Sequence, residues 1–169
     1  MNESEKQQGA SPGPVPAVSL RAATAADQDF LLALFASTRS DVLAGLSGDP
    51  IQAQAFIKMQ FSAQSQNYSA SYPLAENQII LHADQPIGRI LVERTVEEFL
   101  LVDIAILPEH RNAGVSSALI QDLLRQAAAR SMPVRLNVLN FSPAVRLYER
   151  LGFSAISDDG VYLEMKWSG

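Results

Sequence analysis

Cysteine is absent from all 169 residues. That excludes disulfides, thiolate metal sites and any cysteinyl acyl-enzyme intermediate. Histidine is nearly as scarce: His82 and His110 are the only two, which argues against a histidine-rich centre, and no metal is expected. No stretch approaches the roughly twenty apolar residues that span a bilayer. The N-terminus also lacks the apolar core of a signal peptide, so a cytoplasmic location is expected. Positive charge is in deficit, with 13 Lys and Arg against 18 Asp and Glu and a net charge of −5. That balance argues against nucleic acid as a partner and is compatible with a cationic one. Hydrophobic residues make up 47%, enough for a globular fold rather than a disordered chain, and the length suits one domain with a sizeable core.

Residues 1–17 are polar and then proline-bearing (Pro12, Pro14, Pro16). They can bury little and are expected to form a flexible N-terminal tail, leaving 18–169 as the folded domain. Val18–Ala22 reads as a short strand. Thr24 to Asp27 resembles a capping box and opens a helix to about Ser37, with Phe30, Leu31, Leu34 and Phe35 on its apolar face. Arg39–Gly48 reads as a linker. Asp49 and Pro50 supply a cap and a first-turn proline for a second helix to about Gln66, with Ile51, Ala55, Phe56, Met59 and Ala63 expected inward. Gln60, Gln64, Gln66, Asn67, Tyr68 and Tyr72 make this helix and its continuation rich in amides and aromatics. Either they form a solvated face or they wall a substrate site.

Asn77–Ala83 and Ile87–Thr95 read as a hairpin around Asp84-Gln85-Pro86. Leu101–Leu107 is an aliphatic run broken only by Asp103, the pattern of a buried central strand. After the polar turn at 109–113, Gly114 opens an amphipathic helix with Val115, Ala118, Leu119, Leu123 and Ala127 on one stripe. A strand delivering a glycine to a helix start leaves backbone N–H groups unpaired, a site for an anion such as phosphate. Pro133–Leu139 must return parallel to the central strand through a right-handed crossover. A helix from Ser142-Pro143 to Leu151-Gly152 and a hairpin (Phe153–Ile156, Val161–Trp167) close the chain. The expected class is α+β: a mixed, mostly antiparallel central sheet with helices on both faces.

Arg111-Asn112-Ala113-Gly114-Val115-Ser116, preceded by Ile106-Leu107-Pro108-Glu109, resembles the acetyl-CoA pyrophosphate loop of the GCN5-related N-acetyltransferase (GNAT) superfamily. Arg111 and Gly114 match the pattern; Ser116 stands where Gly or Ala is usual. About thirty residues on, Ala144 to Phe153 resembles the family's closing A-x-x-L-Y-E-[KR]-L-G-F run. The resemblance implies the GNAT fold, with the central strand and the next parallel strand splayed apart. It implies acetyl-CoA as cosubstrate and direct transfer of acetyl to an amine in a ternary complex. Backbone groups of Asn112, Ala113, Gly114, Val115 and Ser116 are then expected to cradle the pyrophosphate, with Arg111 matching the motif and Ser117 adding a hydroxyl. Ile104, Ala105, Ile106 and Leu107 would lie along the pantetheine arm, with a backbone N–H near Ile106 polarising the thioester.

Tyr148 holds the family's tyrosine position and is the expected general acid. Candidates for the base are Asp103, Glu93 and Glu109, with a structural carboxylate the competing reading for Asp103. Asn140 is a one-residue-shifted substitute for an asparagine the family carries where Phe141 stands here. In the resembled family the first two helices flank the acceptor site. A non-catalytic acyl-CoA-binding or sensing module of the same fold is the alternative. The acceptor (small molecule or protein amine) and the choice of monomer or homodimer stay open.

Overall fold

The computed structural model describes residues 15–39 and 49–169. Most of the proposed tail and most of the Arg39–Gly48 linker lie outside the described residues. Seven strands form one sheet in the order β1-β2-β3-β4-β5-β7-β6. They are β1 (Ser19–Ala22), β2 (Ala75–His82), β3 (Gln85–Arg94), β4 (Phe99–Ile106), β5 (Val134–Leu139), β6 (Ser154–Asp158) and β7 (Tyr162–Trp167). Every neighbouring pair is antiparallel except β4 with β5. Four helices are described: α1 (Gln28–Ser37), α2 (Pro50–Ser71), α3 (Val115–Ala128) and α4 (Ala144–Arg150). None among the described residues is long and apolar enough to cross a membrane.

Local chemistry sets the boundaries. The capping box at Thr24–Asp27 forms, and Asp27 also takes a two-pronged contact from Arg21 at 2.7 and 2.8 Å. Asp49 accepts from the Ile51 N–H ahead of Pro50, so α2 starts where the sequence places it. Its end does not match. The helix continues past Gln66 to Ser71, carrying Tyr68 with it. Its phase is also turned. Ile51 and Met59 are exposed at 77% and 60%, and Ala55 and Ala63 point out as well. Ile57 is the buried residue, with Phe61, Gln64 and Tyr68 on the same inward side. Apolar residues lie all around α2, so periodicity could not fix which face turns in.

The main core packs α3 and α4 against β3, β4, β5 and β7 through Phe99, Ile120, Val134, Leu136 and Met165, among others. On the opposite face α1 and α2 cover the sheet with Leu31, Leu34, Phe35 and Ile57, all buried, as is Ile79 of β2, and these stand outside that cluster.

Strand β4 is irregular in two respects. Leu91 pairs with Asp103 but Val92 pairs with Leu101, so Val102 is an extra residue, a β-bulge. A one-residue insertion reverses the facing of every residue beyond it. Phe99 and Leu101 face the main core, and beyond the bulge Ile104 and Ile106 take that side. Asp103 and Ala105 therefore turn toward α1 and α2. Secondly, β4 and β5 pair only from Phe99–Leu101 to Val134–Leu136. Past that point β5 pairs with β7 alone, and the two parallel strands splay.

Candidate functional site

The splay leaves one edge of β4 without a partner. The Leu107 N–H donates to the Ile87 carbonyl of β3 at 2.8 Å. Because strand amides alternate in direction, the Ile106 N–H points the other way, into the gap toward β5. The carbonyl on that edge is taken up: Arg111 Nε donates to Ile106 O at 2.8 Å, and its NH2 reaches Ser37 O at 3.4 Å. Arg111 thus ties the last turn of α1 to the end of β4, a cation against helix-terminal carbonyls.

Beside this edge is a cleft of about 550 Å³ lined by Ile106, His110, Arg111, Asn112 and Gly114 through Ser117, and by Pro143, Ala144, Leu147 and Arg150 of the α4 segment. Asn112 and Gly114 both adopt positive φ, 60° and 79°, which coils the loop into the start of α3. A side chain at Gly114 would be strained by that φ. It would also meet the Val15 side chain, 3.0 Å from where a Cβ would stand. The glycine is therefore demanded by the fold itself. Arg150 was not among the residues expected at the site. Its signal was available, since Ala144, Leu147 and Arg150 recur every three residues on one face of α4. Asn140 sits apart from this cleft's lining: its side chain donates to the Gly160 carbonyl at 2.9 Å and so braces the β6–β7 hairpin.

On the other face of β4, Ala105 and Asp103 border a small inner chamber of about 50 Å³ with Leu34, Phe35, Thr38 and Gln64. Leu31, Phe61 and Arg89 continue it into an outer chamber of about 190 Å³ with Tyr68, Tyr72 and Asn77. Of the amides and aromatics singled out in this stretch, Gln64, Tyr68 and Tyr72 wall these chambers, whereas Gln60, Gln66 and Asn67 do not. Asp103 is ion-paired with Arg89, which is 7% exposed and also borders both chambers. The Arg89 guanidinium carbon stands 5.6 Å from the centre of the Tyr68 ring, within cation–π range. Glu93, further along β3, accepts from the Leu74 N–H at 3.2 Å and is not part of either lining. Glu109 is exposed on the turn after β4.

Tyr148 of α4 is buried against the core, edge-on to Phe153 with ring centres 5.8 Å apart. Burial pushes its phenol up to about 12, helped by the negative charge of Asp103. Tyr68 is likewise pushed up to about 12, by burial first and then by Asp103. Both phenols therefore stay protonated donors through neutral pH.

Residues 73–155 match the family model described as acetyltransferase (GNAT) domain. That match spans just under half of the chain, and the fold around it is of the GNAT type. A comparison with curated proteins gives no match, whereas solved structures share the fold along most of the chain. A PaiA N-acetyltransferase from Thermoplasma acidophilum in complex with coenzyme A is 16% identical, with a TM-score of 0.68 over 90% of this chain and 99% of that one. A GNAT family acetyltransferase from Elizabethkingia anophelis with acetyl-CoA bound is 15% identical, with a TM-score of 0.58 over 90% and 98%. An acetyltransferase from Thermus thermophilus is 19% identical, with a TM-score of 0.62 over 90% and 97%. The splay beyond Leu101 is the one the resemblance implied, and it lies next to the bulge at Val102. Together they set an open strand edge between the loop cleft and the cavity under α1 and α2.

Proposed function

We propose that residues 18–169 form one acyltransferase domain that moves an acetyl group from acetyl-CoA directly to an amine in a ternary complex. The observation that carries this reading is the relation of two successive residues of β4. Ile106 borders the loop cleft and Ala105 the chamber under α1 and α2. A thioester laid along the open edge between them reaches an acceptor on the far face. Two of the similar structures hold coenzyme A or acetyl-CoA, which supports that choice of donor.

The pyrophosphate meets the N–H groups of Asn112 through Ser116 and the positive end of α3. One helix end favours a charge by only about 0.3–1 kcal/mol when exposed, so the additional donors matter. Ser116, Ser117 and the Arg150 guanidinium supply them in this cleft. The pantetheine arm runs past Leu107, Ile106, Ala105 and Ile104 in the place β5 has vacated. The Ile106 N–H, already aimed into the gap, donates to the thioester carbonyl as it gains negative charge, the kind of preset donor that contributes most in acyl transfer.

The amine nitrogen forms a bond to the carbonyl carbon and the C–S bond breaks. An acceptor ammonium gives up one proton before attack and the nitrogen a second as the amide forms. Asp103 orients the amine and accepts a proton, directly or through water. Tyr148 donates its proton to the departing sulfur and is reprotonated by the second proton from the nitrogen, while the first passes through Asp103 to solvent. Glu93, committed to the Leu74 N–H, has no part in this scheme.

Thermal shift with acetyl-CoA, coenzyme A and ATP tests donor binding: a ligand at about 100 times its Kd stabilises by about 2.7 kcal/mol. Stabilisation by the first two and not by ATP is expected, and thiol release over a panel of amines then tests transfer. Binding with no thiol release above background would leave acyl-CoA sensing as the function.

A further inference from the structure

Among the described residues, the linings of the two chambers under α1 and α2 hold one cation and one anion, Arg89 and Asp103, and these are paired; Arg39 stands behind the inner wall, its guanidinium carbon 4.1 Å from the centre of the Phe35 ring. Asp103 borders the inner chamber beside Ala105, where the acetyl group would arrive. Arg89 borders both chambers. The remaining walls of the outer one are mainly aromatic and aliphatic, with Phe61, Tyr68, Tyr72 and Leu91, and with serine and amide groups at intervals.

This arrangement discriminates by charge. A bare ammonium beside the pair is attracted by Asp103 and repelled almost equally by Arg89, so it gains little on leaving water. A carboxylate alone meets the reverse balance. A molecule with both groups on one carbon can lie antiparallel to the pair, ammonium on Asp103 and carboxylate on Arg89, and adds no net charge to a half-buried site. The guanidinium has five N–H donors and one nitrogen in contact with Asp103, so it retains capacity for a second carboxylate.

We infer that the acceptor is a free α-amino acid with an aromatic or aliphatic side chain, held head-to-tail on the Arg89–Asp103 pair with its side chain in the outer chamber. The word acceptor rests on the acetyl-transfer reading; the amino-acid site itself stands on the cavity.

Isothermal titration of the full chain without coenzyme tests the site. The probes are L-phenylalanine and L-leucine, their carboxamides, and the amines lacking the carboxylate, phenethylamine and isoamylamine. At least one amino acid should bind, with its amide and its amine at least tenfold weaker (about 1.4 kcal/mol). Arg89→Lys retains the ion pair but not the fork, and should remove most of that preference while keeping the fold. Equal affinity for amino acid, amide and amine, or no binding by either amino acid, would overturn the inference. If the amino acids bind as expected but acetyl-CoA does not, the transfer reading falls and this site remains. Thiol release that is as fast with phenethylamine as with phenylalanine has the opposite meaning: transfer stands and amino-acid selection is lost.

Discussion

Arg89 and Asp103 are diagonal neighbours on adjacent strands. Arg89 pairs with Ala105 and Leu91 with Asp103, so the guanidinium reaches two residues along β4 to meet its carboxylate. The bulge at Val102 is what puts Asp103 on that face. Without it the carboxylate would point with Leu101 into the main core.

Removing Asp103 would strand a guanidinium whose side chain is 9% exposed. Breaking a buried pair in this way costs about 3–5 kcal/mol, and the partial exposure of Asp103 places Asp103→Asn at or below the lower end. Chemical denaturation should show a lower midpoint. At a temperature where the variant stays folded, KM for the acceptor should rise while the Kd for acetyl-CoA holds. A loss of CoA affinity equal to the loss of acceptor binding would refute the assignment of Asp103 to the acceptor side.

Tyr148→Phe removes the phenol hydroxyl and leaves the ring against Phe153. Proton donation by a placed group contributes about 10²–10⁴-fold. A fall of about a hundredfold in kcat is expected, with CoA affinity from calorimetry nearly unchanged. Unaltered turnover would remove Tyr148 from the mechanism.

Gly88 of β3 lies against the reacting edge from behind. A Cβ there would stand 2.4 Å from the Ala105 carbonyl and 2.8 Å from Ile106 Cδ1. Since the first contact is backbone, β4 itself must shift. Gly88→Ala should cost about 1–3 kcal/mol, as overpacked cores do, and displace the Ile106 donor. The expected result is a fall in kcat larger than the rise in KM for acetyl-CoA. A variant of full activity would show that the position of this edge is not critical.

Gly114→Glu places bulk and negative charge in the pyrophosphate loop at a φ of 79°. Thermal stabilisation by coenzyme A should disappear, whereas the amino-acid binding measured without coenzyme should persist. Retained coenzyme binding would move the pyrophosphate elsewhere.

Alkaline stability carries a signature of the two raised phenols. Tyr148 ionises at about 12 in the folded chain and about 10 when unfolded. Between those values the folded state holds a proton that the unfolded state has lost, so the stabilisation is complete below about pH 10 and declines as pH rises toward 12. The slope is about 1.4 kcal/mol per pH unit for Tyr148, with a smaller share from the less buried Tyr68. Urea midpoints across this range check the slope. Tyrosinate absorbance should show a late-titrating component that shrinks in Tyr148→Phe.

Much of this was legible in the chain. The aliphatic run with its glycine-opened helix and the A-x-x-L-Y-E-R-L-G-F segment pointed to the fold and the loop cleft, because short-range pattern alone specifies a strand, a turn and a helix start. The inward face of α2 was not legible, since its apolar residues occur on every side and only contact with α1 and the sheet selects one. Asp103 stood out as a lone charge, but its partner did not. Arg89 lies 14 residues away on another strand, and the pair depends on a register that includes an inserted residue.

The order of residues was enough to set which segments fold and where a phosphate-binding turn sits, because propensity, capping and hydrophobic period are properties of neighbours along the chain. It took the assembled sheet and its packing to settle which way Asp103 faces, which edge of β4 stays open and which residues of α2 enclose the cavity. Those depend on pairing register and packing between distant segments, and no local pattern encodes them.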